Sequence, residues 1–382
     1  MNWIGFFKKK SRGEFFQFLR ESGIYDKSLI IVASDHGEGL GQHQEHDHGF
    51  FVYDTTVRVP LIMRAPVDFP VKKVDTMVEL VDIAPTILEA LDIPVPDSFQ
   101  GQSLLDLMFD EGGGRDSFAY TETFYPRAHY GWSELRALYH RDEKYILAPE
   151  DELYALNDDE DENNNLASEP SHEGRREELA QNLRDLVDRH STNSLPAATA
   201  SLSRDDMEAL RALGYTTTAS NTIEEGNLAD PKKKIGVYNR LTQASGRLGR
   251  QEYDAAIEVA NEILQEEPDL LEAHVLLGNA YQQKGMFRQA LTSLYRVIEL
   301  NPQANFAMID IVSALLNLGE YDRAGREAQT FLTTFPEDPV LHEELGFAYF
   351  YKGDFESALG ALENSIRIEP NPVALSKAGE IY

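Results

Sequence analysis

The chain has 382 residues, room for two or three domains, and its 35 Lys and Arg against 65 Asp and Glu give a formal charge of −30. That balance excludes sequence-independent wrapping of nucleic acid or binding to an anionic membrane surface. The absence of cysteine excludes disulfides, thiolate metal sites and a cysteine nucleophile within this chain, and no apolar run approaches the ~18–20 residues of a membrane-spanning helix.

The first ten residues place Phe6 and Phe7 before Lys8, Lys9 and Lys10, the reverse of the charged-then-apolar order of a signal peptide. Glu14–Ser22 is predicted as a helix with Phe15, Phe16 and Leu19 on one side and Gly23 as its stop. Leu29–Ala33 then reads as a fully buried strand. Val57–Met63 is a second strand candidate. Val81–Leu91 is predicted as a helix with Asp82 as N-cap and Pro85 in the first turn, where its missing N–H costs nothing. Helix followed by buried strand predicts α/β packing for the first half of the chain.

Between the two strand candidates lies Ser34-Asp35-His36-Gly37-Glu38-Gly39-Leu40-Gly41-Gln42-His43-Gln44-Glu45-His46-Asp47-His48-Gly49, which holds four of the ten histidines within 13 residues. Polar residues at the carboxyl end of a strand in an open α/β sheet face the ligand crevice. Asp35 offers a hard oxygen and His36 an imidazole nitrogen, donors suited to Ca²⁺, Mg²⁺, Mn²⁺ or Zn²⁺. Gly37, Gly39 and Gly41 would let the backbone turn and approach a small anion. Taken by residue type alone, the Asp-His-Gly could equally be a structural turn and the histidines surface decoration.

Further on, Glu150–Glu162 carries eight acidic residues and runs into Asn163-Asn164-Asn165. It is expected to be a solvated surface loop; a calcium loop would need a central Gly and a closing Glu that are missing. Glu173–Arg189 and Arg204–Leu213 are predicted as amphipathic helices, and Thr216–Asp230 as a polar linker.

The last part of the chain is periodic. Pro268, Pro302, Pro336 and Pro370 keep a 34-residue step, as do Ala256, Ala290, Ala324 and Ala358, and Gly285, Gly319 and Gly353. Each unit reads as two amphipathic helices, the second opening on Gly-x-aromatic-x-x-Ala and closing at Pro. The pattern resembles the tetratricopeptide repeat, with units near 236–269, 270–303, 304–337 and 338–371 and a partial fifth at Val373–Tyr382. Such helix pairs stack into a solenoid whose groove can hold a protein or peptide partner, or serve packing within the chain or between copies.

The central block resembles a second family. Ser34-Asp35-His36-Gly37-Glu38-x-Leu40-Gly41-x-His43, then His48-Gly49-x-x-x-Tyr53-Asp54 and Val57-Arg58-Val59-Pro60-Leu61-Ile62, is similar to the C-terminal half of a sulfatase of the alkaline-phosphatase-like superfamily. Val81-Asp82-Ile83-Ala84-Pro85-Thr86-Ile87-Leu88, Gly101-x-Ser103-Leu104, Glu152-Leu153-Tyr154-x-Leu156 and Asn165-Leu166-Ala167 resemble downstream blocks of that family. The likeness covers roughly residues 20–190. It implies that Asp35 and His36 are ligands of the active-site metal, with Ca²⁺ the first expectation. It also implies that His48 binds the sulfate or phosphate group on the leaving-group side, where negative charge develops. His43 and His46 are weaker candidates for the pocket, and Arg58 is read as a structural ion pair before a substrate contact.

A sulfatase also needs a formylglycine, made from the Cys or Ser of a Cys/Ser-x-Pro-x-Arg motif, and two further Asp ligands ahead of the Asp-His-Gly. Only 34 residues precede Asp35, cysteine is absent, and no Ser-x-Pro-x-Arg occurs. The expectation is therefore the C-terminal part of a sulfatase, residues 1–190, joined through 191–231 to tetratricopeptide repeats over 232–382. Both ends read as incomplete, metal binding by the chain alone as weak, and hydrolytic activity as absent. The fold class expected is α/β, a partial alkaline-phosphatase-like sheet with flanking helices and with parallel partners for Leu29–Ala33, followed by an all-α solenoid. Sulfate esters are the substrate class the resemblance implies. Phosphodiesterases and phosphoethanolamine transferases of the same superfamily, or a repeat-based binding scaffold, are the alternatives. The family resemblance allows a periplasmic or extracellular setting.

Overall fold

A computed structural model describes residues 9–66, 70–109, 117–191 and 228–382. The helix expected over Arg204–Leu213, and all but the end of the linker at Thr216–Asp230, lie outside the described residues. The described residues of Met1–Phe124 and Ser133–Ala200 form one compact unit, and those of Tyr125–Trp132 and Ser201–Tyr382 form the other.

The first unit is α/β. Helix α1 (Lys9–Glu21) ends where Gly23 takes a φ of +69°: its N–H donates to Arg20 O, and the Ile24 N–H reaches back to Leu19 O. That pair of bonds satisfies carbonyls the last turn would leave open. Strand β1 (Ile30–Ala33) pairs with β2 (Leu61–Arg64) in an antiparallel two-stranded sheet, Ile31 opposite Met63. Two expectations are corrected here. The β1 strand is half-exposed rather than fully buried, with Val32 38% and Ile62 63% accessible, and its partner runs antiparallel. The apolar run Ile30–Ala33 has the composition of a strand covered on both faces, but no second layer among the described residues covers it. The second strand also starts later than Val57. Residues Asp54–Val57 close a single helical turn, α2, in which Thr56 N–H and Val57 N–H both donate to Tyr53 O, and Pro60 has no N–H to give to a ladder.

Helix α3 (Ile83–Ala90) buries Pro85 and Thr86 as expected, but Asp82 does not cap it. Asp82 is the third residue of a preceding 3₁₀ turn and receives the Glu79 N–H at 3.1 Å and the Gln102 N–H at 2.7 Å, so the capping box is headed by Glu79. A short helix, α4 (Leu105–Phe109), follows.

The main sheet of this unit is an antiparallel meander of β3 (Phe118–Thr123), β4 (Leu135–His140), β5 (Glu143–Leu147) and β6 (Glu152–Ala155) in sequential order. Strand alternation decides what each face meets. Leu138, Tyr145 and Leu153, directly paired across β4, β5 and β6, lie against Leu179 and Leu183 of helix α6 (Glu173–Ser191). The neighbouring residues Tyr139, Lys144 and Tyr154 form the cross-strand row on the other face, where the segment carrying Tyr53 and Asp54 packs.

The second unit contains the run of repeat helices α7 (Pro231–Gly249), α8 (Tyr253–Glu266), α9 (Leu271–Gln283), α10 (Phe287–Leu300), α11 (Asn305–Asn317), α12 (Tyr321–Leu332), α13 (Pro339–Lys352), α14 (Phe355–Ile368) and α15 (Pro372–Ile381). It also holds a short helix, α5 (Tyr125–Tyr130), whose Tyr125 and Tyr130 rings meet Tyr238 of α7 edge-on. The 34-residue alanines are fully buried at the helix pairings. Glycine recurs for two separate reasons. Gly285, Gly319 and Gly353 turn the chain between paired helices at φ between +71° and +86°. Gly278 and Gly346 sit inside helices where a Cβ would come within 2.7 Å of the Leu294 and Leu362 side chains. The fold is thus an α/β unit followed by an all-α tetratricopeptide-type solenoid. No described helix is long and apolar enough to cross a membrane.

Candidate functional site

The loop after β1 is fixed by its backbone. Gly37 N–H donates to Thr56 O at 2.7 Å, Glu38 N–H to Thr55 O at 3.1 Å, Gly39 N–H to Asp47 O at 2.9 Å and Gly41 N–H to Glu45 O at 2.8 Å. These bonds explain the glycines differently from the expectation of an anion cradle. A Cβ on Gly37 would lie 2.2 Å from Thr55 O, and one on Gly39 2.7 Å from Asp47 O, so both are places where two backbones touch; Gly41 is needed for a φ of +107°. Glu45 locks the same loop from beneath. It is buried, its Oε1 receives the Phe50 and Phe51 N–H groups at 2.9 and 3.2 Å, and burial pushes its carboxyl up to about 7.

On this frame His36 and His48, twelve residues apart in sequence, stack with ring centroids 3.6 Å apart and planes 19° from parallel. His36 Nδ1 lies 2.7 Å from the Gly37 carbonyl oxygen, which can only accept, so Nδ1 carries the proton and Nε2 keeps its lone pair. That lone pair is 3.8 Å from Asp35 Oδ2. Asp35 is exposed at the lip, and the backbone N–H groups of Asp35 and His36 hold its carboxyl below the usual range. His48 Nδ1 is buried without a hydrogen-bond partner. It lies 3.0 Å from Asp47 Oδ1 outside bonding direction and 3.7 Å from Glu38 Oε2. Asp35, His36 and His48 all line one cleft of about 380 Å³, together with Gly49, Arg58 and Glu122.

The other two histidines of the block go elsewhere. His43, at a φ of +49°, stacks on Tyr53 at 3.6 Å and bonds to Asp161 O through Nε2 at 3.0 Å; burial pulls its pKa down. His46 is exposed, with its ring against Gly41. Neither lines the cleft. Arg58 Nη1 lies 3.6 Å from Asp54 Oδ2 and its side chain is largely solvent-exposed at the cleft wall.

Sequence reasoning passed over two features. Glu38 stands inside the quoted motif, yet only the fold shows that a ligand atom from each of His36, Glu38 and His48 lies within 4.8 Å of the others, a set able to hold a metal ion. The acidic stretch is also not wholly solvated. Glu152 is buried and accepts from the Tyr53 and Tyr154 hydroxyls, while Glu162 is buried against Lys144 and accepts the Asp54 N–H at 2.6 Å. Tyr139 OH and Lys144 Nζ both reach Asp54 Oδ1, at 2.7 and 3.1 Å. This network ties the floor of the cleft to β4, β5 and the acidic stretch.

Comparison with known proteins agrees with both halves of this picture. The family described as N-sulphoglucosamine sulphohydrolase, C-terminal, matches residues 41–189, and tetratricopeptide-repeat families match 247–315 and 309–374. Arylsulfatase K of Bos taurus is 37% identical over 93 residues, 24% of this chain and 17% of that protein. The N-acetylglucosamine-6-O-sulfatase of Bacteroides thetaiotaomicron is 29% identical over 193 residues, 47% of this chain and 34% of that protein. Among solved structures, a phosphonate monoester hydrolase of Agrobacterium radiobacter aligns with a TM-score of 0.41 and 27% identity over 47% of this chain and 39% of its own. The match thus spans about a sixth to a third of the length of the two curated relatives. This chain carries a C-terminal sulfatase-like domain fused to a tetratricopeptide-repeat region.

Proposed function

We propose that the sulfatase-like unit provides the leaving-group side of a metal-dependent sulfate ester hydrolase pocket. In this reading Asp35 and His36 are metal ligands, and His48 holds the sulfate group and the ester oxygen. The observation that carries the reading is the face-to-face placement of His36 and His48 beside Asp35 at the wall of one cleft. A lone pair on His36 Nε2 and the exposed Asp35 carboxylate suit a divalent cation, Ca²⁺ in the first instance, which would polarise the bound ester group. A histidine that hydrogen-bonds or protonates the ester oxygen offsets the charge that develops there as the bond breaks.

The chain contains no cysteine and no Ser-x-Pro-x-Arg, so none of its residues can become the formylglycine such chemistry uses. By itself it is therefore expected to leave 4-nitrophenyl sulfate intact with or without Ca²⁺. Joined to a sulfatase segment that supplies Cys-x-Pro-x-Arg and the remaining Asp ligands, it should hydrolyse that ester, and Asp35→Asn or His48→Ala should each reduce kcat/KM at least 100-fold. Hydrolysis by the joined protein that survives both substitutions would refute the assignment. A preference for 4-nitrophenyl phosphate or phosphonate would instead place the unit with the phosphoryl-handling members of the superfamily. The repeats, whose kind stacks into peptide-holding grooves, are assigned a protein-binding role.

A further inference from the structure

We propose that His36, Glu38 and His48 form a three-ligand site for a zinc-like transition metal ion, distinct in its donors from the oxygen-rich calcium site of the preceding section. The proposal shares only His36 with that reading.

Three observations carry it. First, the donors are two imidazole nitrogens and one carboxylate, a set that suits Zn²⁺ or Co²⁺, whereas Ca²⁺ takes six to eight oxygens. Second, His36 already meets the requirement on a ligating histidine: its Nδ1–H is committed to the Gly37 carbonyl, which leaves Nε2 free and fixes the ring. Third, His48 Nδ1 is shielded from water with no hydrogen bond and lies 3.7 Å from Glu38 Oε2. A buried nitrogen without a partner costs free energy, and a metal ion would remove that cost.

Distances allow closure without backbone movement. Zn–N bonds of about 2.0–2.1 Å at tetrahedral angles put ligand atoms about 3.3 Å apart, and the three donors here already lie within 4.8 Å of one another. Rotation of the two stacked rings out of parallel, with a swing of the exposed Glu38 carboxylate, brings them together. The loop backbone that carries His36 and Glu38 is meanwhile held by the Gly37, Glu38 and Gly39 N–H bonds. Three protein ligands leave a fourth position open to water or to an anion in the cleft. Zinc on His48 would occupy the nitrogen that the sulfatase reading assigns to the ester, so metal and ester would compete.

The test is binding of Co²⁺ to the full chain, followed by its visible d–d absorption, and displacement by Zn²⁺ measured calorimetrically. One equivalent of Co²⁺ with a four-coordinate spectrum is expected, unaffected by millimolar Ca²⁺. Glu38→Gln and His48→Ala should each weaken Zn²⁺ at least tenfold, and Asp35→Asn less than threefold. Glu38 is exposed, so Glu38→Gln should keep the melting temperature of the parent and isolates ligation from folding. Absence of Co²⁺ binding overturns the proposal. So does binding that survives Glu38→Gln and His48→Ala but fails with Asp35→Asn, an outcome that would leave the Asp35 and His36 site standing by itself. Loss of hydrolysis in the joined enzyme with zinc binding intact would refute the sulfatase reading and leave this one.

Discussion

The Nζ of Lys144 lies 2.5 Å from the Oε1 of Glu162, and both side chains are closed off from water, at 0% and 1% exposure. Asp54 shares the same ammonium at 3.1 Å. Burial pushes the Glu162 carboxyl up, against the downward pull of Lys144. Breaking such a group by removing one member strands the others without compensation. Lys144→Met should therefore lower the stability of the sulfatase-like unit by about 3–5 kcal/mol, seen as a drop in its urea midpoint. Adding Glu162→Leu to Lys144→Met should recover part of the loss. An unchanged midpoint for Lys144→Met would show that the pair contributes nothing.

Glu45 makes the same unit sensitive to pH. Its folded pKa of about 7 stands above the usual carboxylate value because of burial, with Asp47 and Glu38 adding to the effect. A raised folded pKa means the folded state holds its proton longer, so this contribution is complete below about pH 4.3 and fades as pH rises through 7. The melting temperature of the unit should fall between pH 5.5 and pH 8.5. Glu45→Gln keeps an acceptor for the Phe50 and Phe51 N–H groups and should flatten that slope; a slope as steep as the parent's would remove Glu45 as its source.

The loop that carries His36 should not tolerate a side chain at position 37. In Gly37→Ala the Cβ would meet a backbone oxygen at 2.2 Å, a contact no rotamer change can relieve. A cost of about 1–3 kcal/mol or more is expected, with weaker metal binding as His36 is displaced. Gly174→Ala, in α6 with nothing within 4 Å, is the matched control and should leave the melting temperature within two degrees or raise it.

Two helical glycines of the repeats should respond in opposite directions. Gly346 is pressed against Leu362, so Gly346→Ala overpacks the pairing of α13 and α14 and should cost about 1–3 kcal/mol. Gly360 lies inside α14 with open space around it, and Gly360→Ala should stabilise by about 0.5–1 kcal/mol. Chemical denaturation of both variants separates the cases, and equal shifts would contradict the packing argument.

Two carboxyls of the repeat region hold protons near neutrality. Burial pushes Glu272 up to about 8, and burial with Glu343 and Asp310 nearby does the same for Glu344. Both folded values exceed the unfolded ones, so stability is full below about pH 4.3 and lost as pH rises through 8. Hydrogen exchange in α9 and α13 should quicken between pH 7 and pH 9.5 beyond the intrinsic rate change. Glu344→Gln should remove the effect in α13, and its persistence there would exclude Glu344.

The repeats were legible because each helix pair packs only on its neighbours, so the spacing of Ala256, Ala290, Ala324 and Ala358 in sequence is also their spacing in the stack. The site was legible in part. Residue type and order singled out Asp35, His36 and His48, but four histidines in 13 residues look alike until the chain turns back at Gly41, His43 and Gln44, all with positive φ. That turn sends the His43 ring to Tyr53 and His46 to solvent while His36 and His48 come together.

The sequence by itself determined the two-part organisation, the helix pairs of the repeat region, and the loop from Asp35 to His48 as the place for chemistry. Each of these rests on local pattern or short spacing. Tertiary structure alone decided that β1 would be half-exposed beside an antiparallel partner, that Glu38 would complete a ligand set with His36 and His48, and that Glu152 and Glu162 would be buried. An acidic run is solvated by default. Only the arrival of Lys144 from β5 and of the Tyr53 and Tyr154 hydroxyls, about a hundred residues from Tyr53 to Glu152 along the chain, supplies the partners that make burial of those carboxylates possible.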